Sequence, residues 1–117
     1  MLVVCALIAV VDGDTVKCDG QNIRLLGDGK PNVVGFDTPE TFRPKCQQEL
    51  ELGRAATARM AELVELAVGI EDSGKRDRYG RVLGSLILSN GKTAGHVLLE
   101  EGHAVVWEPG YRANWCS

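Results

Sequence analysis

The chain has 117 residues, of which 44% are hydrophobic and 25% charged, and its formal net charge is −3 at pH 7. This length suits a single domain with one hydrophobic core, so we expect residues 1–117 to form one domain and a monomer. No apolar run approaches 18 residues, so we expect no membrane span. The negative charge disfavours a protein that binds nucleic acid only by neutralising phosphates.

Short β-type runs dominate the first third of the sequence. The apolar opening MLVVCALIAVV has no basic start and no cleavage-like site, so we interpret residues 2–11 as a strand rather than as a signal peptide core. Asp12-Gly13 then predicts a hairpin turn, because Asp-Gly supplies the positive φ angles of a tight turn. Further strands are predicted over 15–18, 22–27 and 33–36, and loops over 28–32 and 37–46.

The remaining sequence predicts two helices and two extended segments. Residues 46–68 form an amphipathic helix, with Glu49 among its solvated acidic residues. Its predicted apolar stripe consists of Leu52, Ala56, Met60, Leu63 and Ala67. A basic loop over 75–81, a strand over 82–88, a short helix over 93–102 with Thr93 as N-cap, an extended segment over 103–107 and an irregular tail follow.

Many short strands with one long helix are typical of an α+β protein that is mainly β. This order of elements predicts a small closed barrel capped by a helix, of which the five-stranded OB-fold barrel is the best-known example. The four cysteines have no zinc-type spacing, and their even number permits disulfides as well as buried thiols.

Three carboxylates, Asp14, Asp37 and Glu40, each stand at a predicted turn or strand end. Carboxylate and carbonyl oxygens are the ligands that hard divalent cations such as Ca²⁺ prefer. Two arginines, Arg24 and Arg81, supply planar cations. A metal, a general base and cations for the equatorial oxygens are the components of a phosphoryl-transfer site.

Several segments then resemble one family. VVDGDTV, IRLLG, FDTPET, DRYGRVLG and NGKTAGHVLLEEGHAVV occur in the order and style of the staphylococcal nuclease (thermonuclease) family. The resemblance spans roughly residues 8 to 107 and implies an OB-fold barrel of the nuclease type with one long and one short helix. Each motif is common by itself, whereas all of them in this order are specific.

The resemblance implies a role for each matching residue. Asp14 and Asp37 match calcium ligands, and Thr38 would offer its main-chain carbonyl. Glu40 matches the glutamate that takes a proton from the attacking water. The other matches are the arginines that grip the scissile phosphate, Arg24 and Arg81, and the residues that reach a second phosphate, Arg78 and Tyr79.

The implied function is a Ca²⁺-dependent nuclease that cuts DNA and RNA, preferably single-stranded, with little sequence preference. In-line attack by water would leave a 5′-hydroxyl and a 3′-phosphate. The alternative is a non-catalytic nuclease-like OB module that binds nucleic acid or protein. The sequence leaves the compartment undetermined, and the resemblance slightly favours a secreted or periplasmic protein.

One departure from the family affects the carried-over roles. Twelve residues lie between Arg24 and Asp37, more than the family usually has. We interpret the extra residues as a loop that leaves Arg24 in its strand, because lengthening a surface loop costs little. The competing arrangement moves Arg24 away and leaves Lys30 or Arg43 to meet the phosphate. His96 is interpreted as a surface or packing residue, and His103 is given no role. Trp107 and Trp115 are interpreted as packing residues rather than as base-stacking platforms, whereas Tyr111 could stack on a base.

Overall fold

The structure, a computed structural model, describes residues 1–116. Eight strands and two helices follow one another along the chain. They are β1 (Leu2–Val3), β2 (Ile8–Val10), β3 (Thr15–Cys18), β4 (Gln21–Leu25), β5 (Gly35–Asp37), α1 (Gln47–Val64), β6 (Ala67–Arg76), β7 (Val82–Leu88), α2 (Ala94–Glu100) and β8 (Val105–Trp107). Within this range, no helix is both long and apolar enough to cross a bilayer.

Six of the strands form one mixed sheet in the order β1-β6-β7-β4-β3-β2, and β5 pairs with β8 in a separate ribbon. β1 and β2 lie at opposite edges of the sheet, although only residues 4–7 separate them in the chain. Because so short a segment spans at most roughly 17 Å, the sheet must curl until its two edges are close together. The predicted mainly-β, OB-like α+β fold is confirmed.

The strand predicted over 2–11 is interrupted between β1 and β2. The main-chain nitrogens of Ala6 and Leu7 donate to the Asp19 carboxylate at 3.1 and 2.8 Å, so they are unavailable for a strand ladder. Cys5, which lies in the same segment, is bonded to Cys18 of β3. This break lets the first half of the run pair with β6 and the second half with β3.

Helix α1 is shorter than predicted, and it buries a different face. It ends at Val64 rather than at residue 68, because the chain from Ala67 onward pairs with β7 as β6. Leu52 is 40% exposed, whereas Glu49 is buried, so the predicted stripe and the solvated position of Glu49 are both wrong at this end of the helix. The buried residues of α1 are Glu49, Gly53, Ala56, Met60 and Leu63.

The hydrophobic core lies between the curled sheet and the two helices. Phe36 anchors β5 in this core with no exposed surface, and Met60 and Leu63 of α1 and Leu86 of β7 belong to the same cluster of buried side chains. Burial of such side chains contributes about 1.5–3 kcal/mol each relative to exposure. The core therefore holds β5, and the candidate site residues at its end and after it, against the sheet.

All four cysteines are paired, in the bonds Cys5–Cys18 and Cys46–Cys116. The first bond joins the interrupted edge segment to β3. The second joins the residue before α1 to the end of the irregular tail, across 70 positions of sequence. The structure thus decides the question that the cysteine count left open in favour of disulfides.

Candidate active site

The turn between β2 and β3 positions Asp14, although not in the way that the sequence predicts. Gly13 does not have a positive φ; it is required because Thr38 lies against it, and a Cβ atom there would come within 2.8 Å of Thr38 Oγ1. The Asp12 carboxylate accepts a hydrogen bond from Asp14 N at 3.1 Å. Asp14 is therefore fixed by its own turn and lies beside the segment that carries Thr38.

Arg24 connects the Asp14 turn with β5. Its Nη1 atom lies 3.4 Å from Asp14 Oδ2, and Nη2 donates to the main-chain oxygen of Phe36 at 2.7 Å. The side chain is 18% exposed. Arg24 thus remains in β4 and contacts both segments that carry the predicted metal ligands.

The extra residues between Arg24 and Asp37 form a compact loop, as predicted. Lys30 N donates to Val34 O at 2.8 Å, and Gly29 packs so closely on Val34 that an added Cβ would collide with its carbonyl. Arg43, the other competing cation, lies with its guanidinium carbon 5.3 Å from the centre of the Phe42 ring.

Asp37 ends β5, opposite Val105 of β8, and Thr38 follows it in a buried position. The Thr38 Oγ1 atom is buried and has no hydrogen-bond partner among residues 1–116. Asp37 and Thr38 reach the Asp14 turn because Phe36 is fully buried directly before them.

The loop that carries Glu40 rests on the first turns of α1. The buried Glu49 carboxylate accepts hydrogen bonds from Glu40 N at 3.3 Å and from Lys45 N at 2.7 Å. Gly53 allows the close approach, because a Cβ atom there would lie 2.8 Å from Pro39 O and 3.0 Å from Glu40 O. Glu49 therefore fixes the main chain of Glu40, a relationship that helix periodicity did not predict.

Burial and mutual repulsion raise the pKa values of the acids in this region. Burial, followed by the charge of Asp14, raises the pKa of Asp12 to about 7 and that of Asp37 to about 6. The same two causes, with the charge of Asp37, raise the pKa of Glu40. The positive charge of Arg24 does not offset the negative charge of these acids. The excess negative charge favours binding of a cation at this place.

The donor set in this region fits a hard cation, because every candidate ligand atom is oxygen. Among residues 1–116, no three His, Cys, Asp or Glu side chains converge in a way that could hold a metal ion by themselves. Asp14 and Asp37 with the main-chain oxygen of Thr38 would therefore need water or substrate oxygens to complete the six to eight ligands of calcium.

The turn between β6 and β7 carries the other predicted phosphate-binding residues. Arg81 Nε donates to Asp77 Oδ2 at 2.7 Å. Burial works to raise the pKa of Asp77, but hydrogen bonds from the main chain and side chain of Arg81 outweigh it, so this pKa is lowered. Tyr79 is exposed, and the centre of its ring lies 4.9 Å from the guanidinium carbon of Arg78 and 5.6 Å from that of Arg81.

A cavity of about 650 Å³ lies beside the acidic residues rather than over them. Arg24 lines this cavity as well as contacting Asp14, so it connects the two regions. The other charged and aromatic residues that line it are Asp77, Arg78, Tyr79, Arg81, Trp107, Tyr111 and Arg112. The predicted phosphate-binding residues therefore line one cavity. The predicted metal ligands do not line it, but Arg24 contacts Asp14 and lines the cavity as well.

The histidines lie outside this cavity. His96 Nδ1 is 2.6 Å from Asp28 Oδ2, and its Nε2 is 3.2 Å from Glu100 Oε1. Thr93 Oγ1 donates to Asp28 Oδ1 at 2.9 Å. These contacts attach the loop before β5 to α2, a structural role that agrees with the prediction for His96.

The comparison with protein families identifies the class of this protein. The sequence model described as staphylococcal nuclease homologue matches residues 31–115. The match covers more than half of the chain, which therefore belongs to the staphylococcal nuclease family. Asp14 and Arg24 precede the matched range, so their inclusion in the site depends on the contacts described above.

Curated relatives are similar over most of this chain. Endonuclease YhcR of Bacillus subtilis (strain 168) is 31% identical over 81% of the chain, which corresponds to 8% of that protein. A protein named uncharacterized endonuclease from Escherichia coli is 28% identical over 87% of the chain and 60% of its own length. Succinoglycan biosynthesis protein ExoI of Rhizobium meliloti (strain 1021) is 28% identical over 83% of the chain and 49% of its own length. The chain spans less than two thirds of each.

Proposed function

We propose that this protein is a calcium-dependent nuclease that hydrolyses phosphodiester bonds of DNA and RNA with little sequence preference. The observation that carries the proposal is the contact of Arg24 with both the Asp14 carboxylate and the main chain before Asp37. Two relatives that are named endonucleases support the activity.

Calcium would be held by the carboxylates of Asp14 and Asp37 and the main-chain oxygen of Thr38. When bound, it would supply positive charge to the phosphate and favour ionisation of a water molecule nearby. The chain's own contribution is to hold these oxygen atoms together, through the Gly13–Thr38 contact and the burial of Phe36.

Arg24 and Arg81 would bind the non-bridging oxygens of the scissile phosphate. Both line the same cavity, and a guanidinium can donate two parallel hydrogen bonds to a phosphate. The charge of the phosphate grows toward the transition state, so fixed cations stabilise that state more than the ground state. Arg78 and Tyr79 would bind a neighbouring phosphate at the rim of the cavity.

Glu40 would accept a proton from the water that attacks phosphorus. The P–O5′ bond then breaks, the 5′-oxygen takes up a proton and the phosphate stays on the 3′-oxygen. A general base contributes roughly 10²- to 10⁴-fold when it is held in place. Glu49 supplies that restraint through its hydrogen bond to Glu40 N.

The two disulfides are typical of proteins in oxidising compartments and support a proposed secreted or periplasmic location.

Digestion of end-labelled single-stranded DNA and RNA, followed by analysis of the new ends, tests the proposed chemistry. We expect fragments whose 5′ ends accept phosphate from a polynucleotide kinase without prior dephosphorylation. Fragments with 5′-phosphate ends would contradict the proposed direction of cleavage. Binding of the oligonucleotide without any cleavage would instead support a non-catalytic module.

A further inference from the structure

The chain after β8 continues along the cavity as an irregular segment, residues 108–116, which we call the arm. It starts with a tight turn in which Tyr111 N donates to Glu108 O at 2.9 Å. Pro109 and Gly110, the latter with a φ of 87°, occupy the two central positions, as in a type II turn. This turn brings the two residues that follow it, Tyr111 and Arg112, to the wall of the cavity.

The far end of the arm is attached to the body covalently. Cys116 is bonded to Cys46, the N-cap residue of α1. The hydrogen bonds of the arm among residues 1–116, from Tyr111 N to Glu108 O and from Cys116 N to Asn114 Oδ1, join arm residues to one another. The disulfide is therefore the covalent restraint on the arm, and it adds to the packing of the half-buried Ala113 and Trp115.

Tyr111 and Arg112 offer the chemistry that binds a nucleotide. Tyr111 is 48% exposed, and Arg112 is exposed and forms no ion pair within residues 1–116. An aromatic face can stack on any base, and a guanidinium binds phosphate. Both side chains line the cavity that Arg24 and Arg81 enter, so a strand whose phosphate meets those arginines would pass the arm.

We propose that the arm is an additional nucleotide subsite, in which Tyr111 stacks on a base and Arg112 binds an adjoining phosphate of a single strand. The Cys46–Cys116 disulfide holds both side chains at the cavity. The choice of single-stranded nucleic acid as the ligand rests on the proposed nuclease function, whereas the position and chemistry of the subsite rest on the arm itself.

Binding of a fluorescent eight-nucleotide single-stranded DNA tests the two side chains. The measurement uses fluorescence anisotropy in the Glu40→Gln background with calcium, and it is repeated with chelator. We expect Tyr111→Ala to raise Kd about five- to 150-fold, the range for loss of one stacked base. Arg112→Gln should raise Kd and reduce the slope of log Kd against log salt by about 0.7, the value for one phosphate contact on a single strand.

A matched control is Arg54→Gln, which removes an exposed arginine of α1 that does not line the cavity. It changes the net charge as Arg112→Gln does, and we expect it to leave both Kd and the salt slope unchanged.

The disulfide is tested with Cys46→Ser and Cys116→Ser, measured separately. Serine at position 46 preserves an N-cap acceptor for Glu49 N, so this variant removes the tether without removing the helix cap. We expect both variants to raise Kd for the eight-nucleotide ligand by the same factor, because each removes the same bond and leaves Cys5–Cys18 intact. Circular dichroism confirms that each variant is folded.

Unchanged affinity and salt slope in Tyr111→Ala and Arg112→Gln would overturn the subsite, even if the protein cuts DNA. Unchanged affinity in both cysteine variants would overturn the role of the disulfide. Conversely, loss of affinity in the arm variants of a protein that never cuts nucleic acid would support the subsite and contradict the proposed nuclease function.

Discussion

Arg24 Nη2 donates a 2.7 Å hydrogen bond to the main-chain oxygen of Phe36, the residue directly before Asp37. This contact crosses the loop that separates Arg24 from Asp37 in the sequence, and it is made while Nη1 lies 3.4 Å from the Asp14 carboxylate. One side chain thus joins the two segments of the candidate metal site and also lines the cavity.

Replacement of Arg24 by lysine should reduce kcat by a large factor. Lysine keeps the charge, but it has no planar pair of donors for two phosphate oxygens and cannot contact Phe36 O and Asp14 together. Steady-state kinetics on single-stranded DNA measure the effect, and Arg81→Lys should behave similarly.

Lys30→Ala and Arg43→Ala are the controls for Arg24, because these are the cations that would meet the phosphate if Arg24 did not. The structure places Lys30 in the compact loop and Arg43 beside Phe42, so both substitutions should change kcat little. A larger loss in either control than in Arg24→Lys would refute the assignment of Arg24.

Glu40→Gln should lower kcat about 10²- to 10⁴-fold and leave nucleotide affinity almost unchanged. Glutamine has nearly the same shape but cannot accept the proton. Near-normal turnover of this variant would limit Glu40 to a structural role.

Glu49→Ala should lower both kcat and stability, because it removes the acceptor of two main-chain N–H groups in the loop that carries Glu40. A hydrogen bond to a charged group contributes about 1.5–3 kcal/mol, so urea unfolding should detect the change. Glu51→Ala, an exposed position on the same helix, is the matched control.

A double-variant cycle separates positioning from general destabilisation. If Glu49 acts on catalysis through Glu40, then Glu49→Ala should lower kcat much less in the Glu40→Gln background than in the unsubstituted protein. Fully additive losses would show that Glu49 affects the reaction by another route.

The burial of Glu49 shows that helix periodicity did not predict which face of the first turns of α1 is buried. The predicted stripe and the observed one share Ala56, Met60 and Leu63. They differ at Ala67, which lies in β6, and at the N-terminal end of α1. There, burial depends on the loop over 37–46, whose carbonyl groups approach Gly53 closely. Such a contact between a loop and a helix is tertiary and leaves no periodic signal in the sequence.

Strand β6 was missed for a related reason. Its sequence, AVGIEDSGKR, has two glycines and few β-branched residues, so local propensity is weak, and pairing with β7 and β1 stabilises it. By contrast, β4 was predicted around Arg24, because NIRLLG is a strand-type run that directly follows the turn at Asp19-Gly20. The sequence placed Asp14 and Asp37 beside turns and strand ends, where the structure has them before β3 and at the end of β5, whereas the disulfide partners depended on the folded arrangement.

The metal-free protein should lose stability as pH rises from about 4 to 7. The pKa values of Asp12 and Asp37 are raised to about 7 and about 6, so in this range the folded state binds more protons than the unfolded state. The free energy of unfolding therefore falls with increasing pH. Urea unfolding in chelator at pH 5, 6 and 7 measures this slope, and Asp12→Asn should reduce it. A stability that rises over this range in chelator would contradict the raised pKa values.

The most direct test of the proposed function is the rate of single-stranded DNA cleavage as free calcium is varied with a chelating buffer. We predict a rate that rises with calcium to a plateau, falls to background in excess chelator and is restored when calcium is added back. Asp14→Ala should stay near background at every concentration. Full cleavage in excess chelator, or undiminished cleavage by Asp14→Ala, would contradict a calcium-dependent nuclease built on Asp14 and Asp37.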